Sequence, residues 1–145
     1  MLSVTITRID TSLPLPTYQT EGAVAFDLAP RVDATIAPGA VAYVPANLIV
    51  AVPAGYALLI AGRSSLHKKG LVLANQLGIV DEDYCGPDDE LLLALRNITD
   101  QPVMVERGQR LAQGFFTPTS RAVWIEIAQK DVIAKTRGGW GSTGA

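Results

Sequence analysis

An acidic turn that directly follows an apolar stretch is the segment of this chain best suited to chemistry. Residues 71–80 are mostly apolar and predict a buried strand, and Asp81 comes directly after the β-branched Ile79 and Val80. A carboxylate fixed at a strand end can take a proton from water and so act as a general base. Tyr84 lies three residues further on and can place its ring beside whatever Asp81 faces. Taken alone, the pattern is also typical of a solvated acidic turn.

The residues just before this turn are suited to binding a flat polar ligand. Asn75 carries two amide donors and a carbonyl acceptor, which is enough to read the edge of a planar base. Gly78 has no side chain, so a ligand or a second backbone can come close to it. The segment therefore predicts a binding site next to the candidate base.

A second polar segment, residues 61–70, predicts an anion site. Arg63 can bind a phosphate with two parallel hydrogen bonds. Ser64 or Ser65 can cap a short helix over residues 64–69, and Gly70 can end it. The other interpretation is a capped helical turn whose basic end is simply solvated.

A third candidate is the glycine-rich end of the chain, residues 136–145. Trp140 lies between glycines, so its ring is free to stack on a planar base. Ser142 and Thr143, with neighbouring backbone amides, could bind terminal phosphates. The segment cannot form a core, so it is either a disordered tail or a flexible arm that orders on a ligand.

The elements that must position these groups are short strands. The chain has 145 residues, which predicts one domain, placed at residues 1–135 and followed by the arm. Turn signals recur every 8–12 residues and only residues 64–69 look helical, which predicts an all-β sandwich, jelly roll or barrel. The expected strands are residues 3–9, 22–28, 41–44, 48–52, 56–61, 71–80, 91–95, 103–105, 111–116 and 122–128.

Composition argues against several classes of partner. The net charge is −2, so no basic field indicates nucleic acid. No apolar run approaches the roughly 20 residues that span a bilayer, and no signal peptide is visible. The single cysteine, Cys85, cannot form an internal disulfide, which predicts the cytoplasm or another reducing compartment.

Five segments, taken in order, resemble the motifs of the trimeric deoxyuridine triphosphatase (dUTPase) family, and together they span almost the whole chain. They are residues 25–28 (Ala-Phe-Asp-Leu), 62–66 (Gly-Arg-Ser-Ser-Leu), 78–86 (Gly-Ile-Val-Asp-Glu-Asp-Tyr-Cys-Gly), 108–113 (Gly-Gln-Arg-Leu-Ala-Gln) and 138–144 (Gly-Gly-Trp-Gly-Ser-Thr-Gly). The resemblance implies a distorted jelly-roll-like β subunit and a homotrimer with three sites between subunits. It also implies Mg²⁺-dependent hydrolysis of dUTP to dUMP and pyrophosphate, which limits uracil incorporation into DNA.

The resemblance also implies a role for each matching residue. Asp81 would orient and deprotonate the attacking water, and Tyr84 would pack on the deoxyribose and exclude a 2′-hydroxyl. Asn75 and the main chain around Ile79 would read uracil, while Asp27 would support the metal's water shell or the interface. The residues expected to hold the phosphates and close over the nucleotide are Arg63, Ser64, Ser65, Gln113, Arg137, Trp140, Gly141, Ser142 and Thr143, the arm residues coming from a neighbouring chain.

The chain departs from the family pattern at several positions. Gln109 stands where the fourth motif usually has Asp, and Trp140 replaces a Phe while keeping the stacking role. Residues 87–89 lengthen the loop after the third motif. Either Lys135 or Arg137 fills the basic position ahead of the paired glycines, and Arg137 is preferred.

Two other functions remain open from the sequence. A dCTP deaminase shares the fold and a similar Arg-Ser-Ser segment, but it carries a Glu at the position that aligns with Ala94. A catalytically silent nucleotide-binding or regulatory protein could use the same fold, and the presence of Asp81 and Tyr84 argues against it.

Overall fold

Eleven short strands make up nearly all the regular structure of residues 2–136 and 138, which are the residues that the computed structural model describes. The strands are β1 (Thr5–Arg8), β2 (Phe26–Leu28), β3 (Ala34–Ile36), β4 (Val41–Pro45), β5 (Leu48–Ala51), β6 (Tyr56–Gly62), β7 (Leu71–Leu73), β8 (Leu77–Val80), β9 (Leu92–Asn97), β10 (Val103–Val105) and β11 (Ala112–Pro118). Two 3₁₀ turns, Leu66–Lys69 and Gln129–Asp131, are the helical elements of this part of the chain. The predicted all-β class is confirmed.

The strands form small antiparallel sheets around one apolar core. A four-stranded sheet has the order β2-β11-β6-β8, and a three-stranded sheet has the order β4-β9-β7. Two pairs, β1 with β5 and β3 with β10, complete the fold. The sheets share one buried cluster, and its fully enclosed members include Leu28, Leu58, Leu71, Leu93, Leu95, Val105 and Leu111.

Strand β6 is the centre of the four-stranded sheet. It pairs with β11 along its whole length, from Tyr56 opposite Pro118 to Gly62 opposite Ala112. On its other side it pairs with β8. The turn before β6 requires a left-handed residue, and Gly55 supplies it with φ +78°.

The predicted strand over residues 71–80 is two strands in different sheets. Gln76 has φ +60°, and the Leu77 N–H donates to the Asn75 carbonyl at 2.6 Å, which closes a tight turn. β7 before this turn pairs with β9, whereas β8 after it pairs with β6. Nothing in the sequence indicated the break, because both strands are partly buried and so both carry apolar residues. The break places Asn75 at the corner between the two sheets.

The prediction of a strand over residues 122–128 is wrong for the chain by itself. No strand is assigned there, and the side chains of Val123, Trp124 and Ile125 are 90%, 90% and 86% exposed. The alternating sequence has strand character, but a strand exists only where another strand bonds to it. Among the described residues, no strand edge of the same chain pairs with this segment.

Two smaller corrections concern the first half of the chain. The strand predicted over residues 22–28 begins only at Phe26, because a turn bond from the Ala23 N–H to the Thr20 carbonyl takes up the residues before it. β3 was not predicted, because three residues give too little alternation to read.

The predicted helix over residues 64–69 is one 3₁₀ turn. It covers Leu66–Lys69 and ends at Gly70, whose φ of +74° is the expected left-handed stop. Ser65 precedes the turn but makes no side-chain capping bond, so the predicted serine cap is not formed. None of the helical segments described is long or apolar enough to cross a membrane.

Asn97 ties the three-stranded sheet to the β3–β10 pair from inside the core. It is fully buried, and its side-chain amide donates to the carbonyls of Ile36 and Gln101 at 2.9 and 2.7 Å. Its side-chain oxygen accepts from the backbone and the hydroxyl of Thr99, both at 2.8 Å. All the bonding capacity of the amide is therefore used within the core.

Replacing Asn97 by Ala should lower the free energy of unfolding by about 2–4 kcal/mol, because buried carbonyls and an N–H lose their partner. Urea unfolding at fixed protein concentration measures the effect. Gln101→Ala is the matched control, because the hydrogen bond from Asn97 is accepted by the backbone carbonyl of residue 101, which this substitution keeps. Its free energy of unfolding should stay within about 0.5 kcal/mol of the parent value. Equal losses in both variants would contradict the role assigned to the buried amide.

Candidate functional site

A cavity of about 370 Å³ lies beside β8, and we call it the β8 cavity. Its lining includes most of the residues that the sequence predicted around the acidic turn. They are Asn75, Gly78, Ile79, Val80, Asp81 and Tyr84, and the wall opposite is formed by Tyr43, Leu91, Leu92 and Ala94. The cavity thus combines apolar walls with one amide, one carboxylate and two phenols, those of Tyr43 and Tyr84, the composition of a small-molecule site.

The amide of Asn75 is held against β8 by the absence of a side chain at Gly78. A Cβ at Gly78 would lie 3.3 Å from the Cβ of Ile60 and 3.4 Å from the Asn75 side-chain nitrogen. The approach to Ile60 is tight for a carbon atom, whereas the distance to the Asn75 nitrogen is close to an ordinary van der Waals contact. Gly78 therefore lets β8 lie close to Ile60 and directly beside the Asn75 amide.

Asp81 is positioned by the strand before it and by the loop after it. Val80, the last residue of β8, pairs with Leu58 of β6, so the backbone entering Asp81 is fixed. Beyond it, the Tyr84 hydroxyl donates to the Glu90 carbonyl at 3.3 Å. The carboxylate and the phenol consequently lie on the same short loop at one end of the cavity.

An ion pair fixes the far end of this loop. Arg31 donates to Glu90 with two parallel bonds, at 2.7 Å from Nε and 2.9 Å from the terminal nitrogen. The same carboxylate accepts from the Asn47 backbone N–H at 2.8 Å. The hydrogen bond to Glu90 raises the pKa of the Arg31 guanidinium above its ordinary value. Glu90, whose carbonyl accepts the hydrogen bond from the Tyr84 hydroxyl, is thereby held in place.

A second group, which we call the arginine cluster, consists of Asp27, Arg63 and Arg110. Arg63 Nε lies 3.0 Å from one oxygen of Asp27, and a terminal nitrogen of Arg110 lies 3.1 Å from the other. Two guanidinium groups share one carboxylate, so the cluster has a net charge of +1 beside Gln113, which pairs with Asp27 across β11 and β2. Ser64 and Ser65 follow Arg63 in the chain. The arrangement can bind an anion.

A cleft of about 190 Å³ opens beside the arginine cluster, with Asp27 and Arg110 in its wall. Its opposite side is formed by the segment that includes Pro14 and Pro16. Side chains of the cluster are therefore accessible to a ligand from this side.

Within one chain, the β8 cavity and the arginine cluster are separate. Gln113 and Leu77 pair with the same residue of β6, Ala61, from opposite sides. Asp81 lies four residues beyond Leu77 along the chain, which is about 13 Å at a strand's rise per residue. Gln113 is a further two strands away, about 10 Å across the sheet. The predicted residues around Asp81 therefore lie together, and so do those around Arg63. The two groups lie apart within one chain.

Several predicted residues lie outside the part of the chain that the structure describes. They are Arg137, Trp140, Gly141, Ser142 and Thr143. Lys135 is described and exposed, and the choice between Lys135 and Arg137 for the basic position stays a prediction.

The described residues include no group of three or more His, Cys, Asp or Glu side chains that could hold a metal ion. A hard divalent cation such as Mg²⁺ keeps several waters and often relies on the phosphate oxygens of a ligand. One oxygen of Asp27 accepts a hydrogen bond from Arg110, and the other lies in ion-pair contact with Arg63. A carboxylate oxygen has two lone pairs, so acceptor capacity is left for a metal-bound water. The oxygen atoms available in the described residues therefore fit a cation that the protein holds through water molecules and not by direct coordination.

Arg110 is one of the basic residues suited to triphosphate binding by its charge, but sequence reasoning assigned it no specific role in the site. Its segment gave a weak signal, because a basic residue near a strand start is usually a solvated one. The pairing of β2 with β11 places it beside Asp27. The signal that could have found it is one carboxylate within the short apolar strand β2, together with two arginines next to the ends of β6 and β11.

Comparison with known proteins gives a consistent result. The family model of dUTPase matches residues 11–144. The deoxyuridine 5′-triphosphate nucleotidohydrolase of Dictyoglomus turgidum is 38% identical over 99% of this chain and 99% of its own length. The enzyme of the same name from Shewanella oneidensis is 40% identical over 99% of this chain and 95% of its own.

Solved structures agree with the fold. The crystal structure of a dUTPase from Streptococcus mutans superposes with a TM-score of 0.75 at 33% identity, covering 82% of this chain and 98% of that one. The Staphylococcus bacteriophage 80alpha dUTPase with dUPNHPP gives a TM-score of 0.85 over the full length of both chains, at 18% identity. These matches confirm that the all-β chain has the predicted jelly-roll-like fold.

Asp27→Asn should lower the apparent free energy of unfolding by about 1–2 kcal/mol, because two neighbouring guanidinium groups lose the charge between them. Urea unfolding at fixed protein concentration measures this loss. Asp100→Asn removes the same charge from an exposed position and should have little effect. If both variants unfold alike, Asp27 does not organise the cluster.

Proposed function

Because this chain belongs to the dUTPase family and is a dUTP diphosphatase, we propose that Asp81 activates the water that attacks the α-phosphorus of dUTP. The products are dUMP and pyrophosphate. The observation that carries the proposal is the β8 cavity, in which a fixed carboxylate, a phenol and an amide line one space. The carboxylate accepts a proton from the water as the new P–O bond forms and the bond to pyrophosphate breaks.

In this proposal the β8 cavity takes the deoxyuridine part of the substrate. The amide of Asn75 and the backbone of Gly78, Ile79 and Val80 bond to the edge of uracil. The ring of Tyr84 packs on the deoxyribose and leaves no room for a 2′-hydroxyl. The clash with an added hydroxyl and the lack of a partner for it both disfavour UTP, and burying an unpartnered hydroxyl alone gives a discrimination of about 10².

The arginine cluster takes the phosphates in the same proposal. Arg63 supplies bidentate bonds, Ser64 and Ser65 supply hydroxyls, and Gln113 supplies an amide. Arg110 adds charge from the other side of Asp27. The arm, residues 136–145, closes over the nucleotide through Arg137, Trp140, Gly141, Ser142 and Thr143.

Mg²⁺ bound with the triphosphate neutralises phosphate charge and favours one geometry of attack. Asp27 would hold its water shell indirectly, with Arg63 and Arg110 fixing the carboxylate that accepts from those waters. The chain's own contribution is to orient the water at Asp81 and to bind the leaving pyrophosphate.

A homotrimer with sites between subunits reconciles the two halves of the site. Asp81 and the arginine cluster lie on different parts of one chain, and a second copy can place its cluster over the first copy's β8 cavity. The exposed Val123, Trp124 and Ile125 support assembly, because soluble proteins seldom leave such a strand-forming segment uncovered. We propose that this segment pairs with another subunit.

The two alternative functions have less support. Deamination needs a carboxylate at the pyrimidine, and Ala94 lines the β8 cavity with a methyl group instead. A silent nucleotide-binding protein has no need of a fixed carboxylate in its binding cavity, yet Asp81 lines the β8 cavity together with Tyr84.

Asp81→Asn should keep dUTP binding and lose turnover by about 10²–10⁴, the usual contribution of a general base. Pyrophosphate release from dUTP, dCTP and UTP measures both the activity and its specificity. Asp88→Asn, in the same exposed loop, is the control and should turn over normally. Full turnover in Asp81→Asn would place the base elsewhere, and release of ammonia from dCTP would support the deaminase function.

Ile125→Glu should dissociate the trimer, because a charge buried at an interface without a partner is strongly unfavourable. Light scattering should give the mass of one chain, 15.4 kDa, in place of three times that value. Ser120→Glu adds the same charge just before the apolar segment and should leave the trimer intact. A trimer in both variants would mean that this segment is not part of the interface.

A further inference from the structure

The backbone pairing that fixes Asp81 ends one residue before it. The last pair of the β6–β8 ladder is Leu58 opposite Val80. Continuing the same register would place Glu82 opposite Tyr56, but the backbone pairing does not extend that far. The loop that carries the Asp81 carboxylate therefore has no backbone pairing to the sheet, although the proposed reaction requires a fixed position for that carboxylate.

A side chain takes over where the ladder stops. The Gly55 N–H donates to Glu82 Oε1 at 2.7 Å. Gly55 is itself firmly held, because its carbonyl accepts from the Thr119 N–H at 2.9 Å and the Tyr56 N–H closes the turn onto Pro53 at 3.1 Å. A hydrogen bond from an amide to a carboxylate is stronger than one between neutral groups. Glu82 thus attaches the loop to a rigid turn.

The other bonds of residues 81–84 are longer. The Tyr84 hydroxyl lies 3.3 Å from the Glu90 carbonyl, and the Tyr84 N–H lies 3.4 Å from the Asp81 carbonyl. The bond of Glu82 is therefore the shortest described link between these residues and another element. It is also the link closest in sequence to the reacting carboxylate.

We propose that Glu82 is a positioning residue for Asp81, holding the catalytic loop to the β5–β6 turn through its bond to Gly55. The inference rests on the proposed role of Asp81 as the base. Glu82 does not line the β8 cavity, so it acts through the loop and not on the nucleotide. A displacement of about 1 Å at a catalytic group can cost up to about 10² in rate, so losing this tether should slow the reaction.

The test compares Glu82→Ala, Glu82→Gln and Asp83→Ala in the full chain, with the dUTP concentration varied and Mg²⁺ saturating. Glu82→Ala should lower kcat about 10-fold with little change in KM, since the loop and not the binding surface is disturbed. Glu82→Gln should recover most of the rate, because its side-chain oxygen accepts the same bond. Asp83→Ala removes a charge of the same sign from the next position, and it should act like the parent.

The variants distinguish the effect of losing the hydrogen bond of Glu82 from the effect of losing its charge and from a general loss of stability. Equal kcat in Glu82→Ala and Asp83→Ala would overturn the proposal. So would an equal loss in Glu82→Ala and Glu82→Gln, which would assign the effect to charge. Melting temperature should be alike in all variants, because Glu82 is exposed.

Asp81→Asn, measured beside them, distinguishes this inference from the proposed function. If Asp81→Asn turns over normally, the proposed base is wrong. If Asp81→Asn is inactive and Glu82→Ala is unaffected, only the role of Glu82 fails. Hydrogen exchange at the Gly55 amide of the parent protein needs no variant, and exchange as fast as in a free peptide would overturn the bond itself.

Discussion

The double pairing of β6 is the constraint on which the rest of the structure depends. One edge of this strand holds β8, which leads to Asp81, and the other holds β11, which carries Gln113 and leads back to β2 with Asp27. Any change in the register of β6 would move both functional groups at once, because a one-residue slip reverses the face of every side chain. Leu58, fully buried at the middle of this strand, sets that register through the core.

Charge is concentrated where the fold can balance it. Asp27 lies between two arginines, and Glu90 receives Arg31 and a backbone amide together. Both acids are half enclosed, so their partners offset the loss of contact with water. The arginine cluster has more positive than negative charge beside β2 and β11. A chain with a net charge of −2 can therefore still attract a polyphosphate at this cluster.

Much of the fold and half of the site could be predicted from sequence, and physical reasons explain the remainder. Alternation and turn residues identified most strands, and Gly55 and Gly70 end their turns as expected. The break at Gln76 was hidden because a left-handed glutamine has no compositional mark. The segment over residues 122–128 was misjudged because strand character is local, whereas the partner that makes a strand is not.

The candidate site also has a part that the sequence predicted and a part that it did not. Asp81, Tyr84 and Asn75 lie within ten residues, so local sequence was enough to group them, and they do line one cavity. Arg110 needs Asp27 to be recognised, and these two residues meet only through strand pairing across 83 positions of sequence. Gln109, a departure from the family pattern, has a buried side-chain oxygen without a partner in the described chain, and nothing in its sequence context indicated this.

The exposed segment from Val123 to Ile127 also bears on how a newly made chain avoids aggregation. In a lone chain it presents a β-prone apolar stretch that could join the open strand edge of another protein. Arg121 precedes it and Glu126 lies within it, so the uncharged run between these two residues is only four residues long. Such flanking charges disfavour aggregation of an apolar strand-forming segment without removing its apolar side chains.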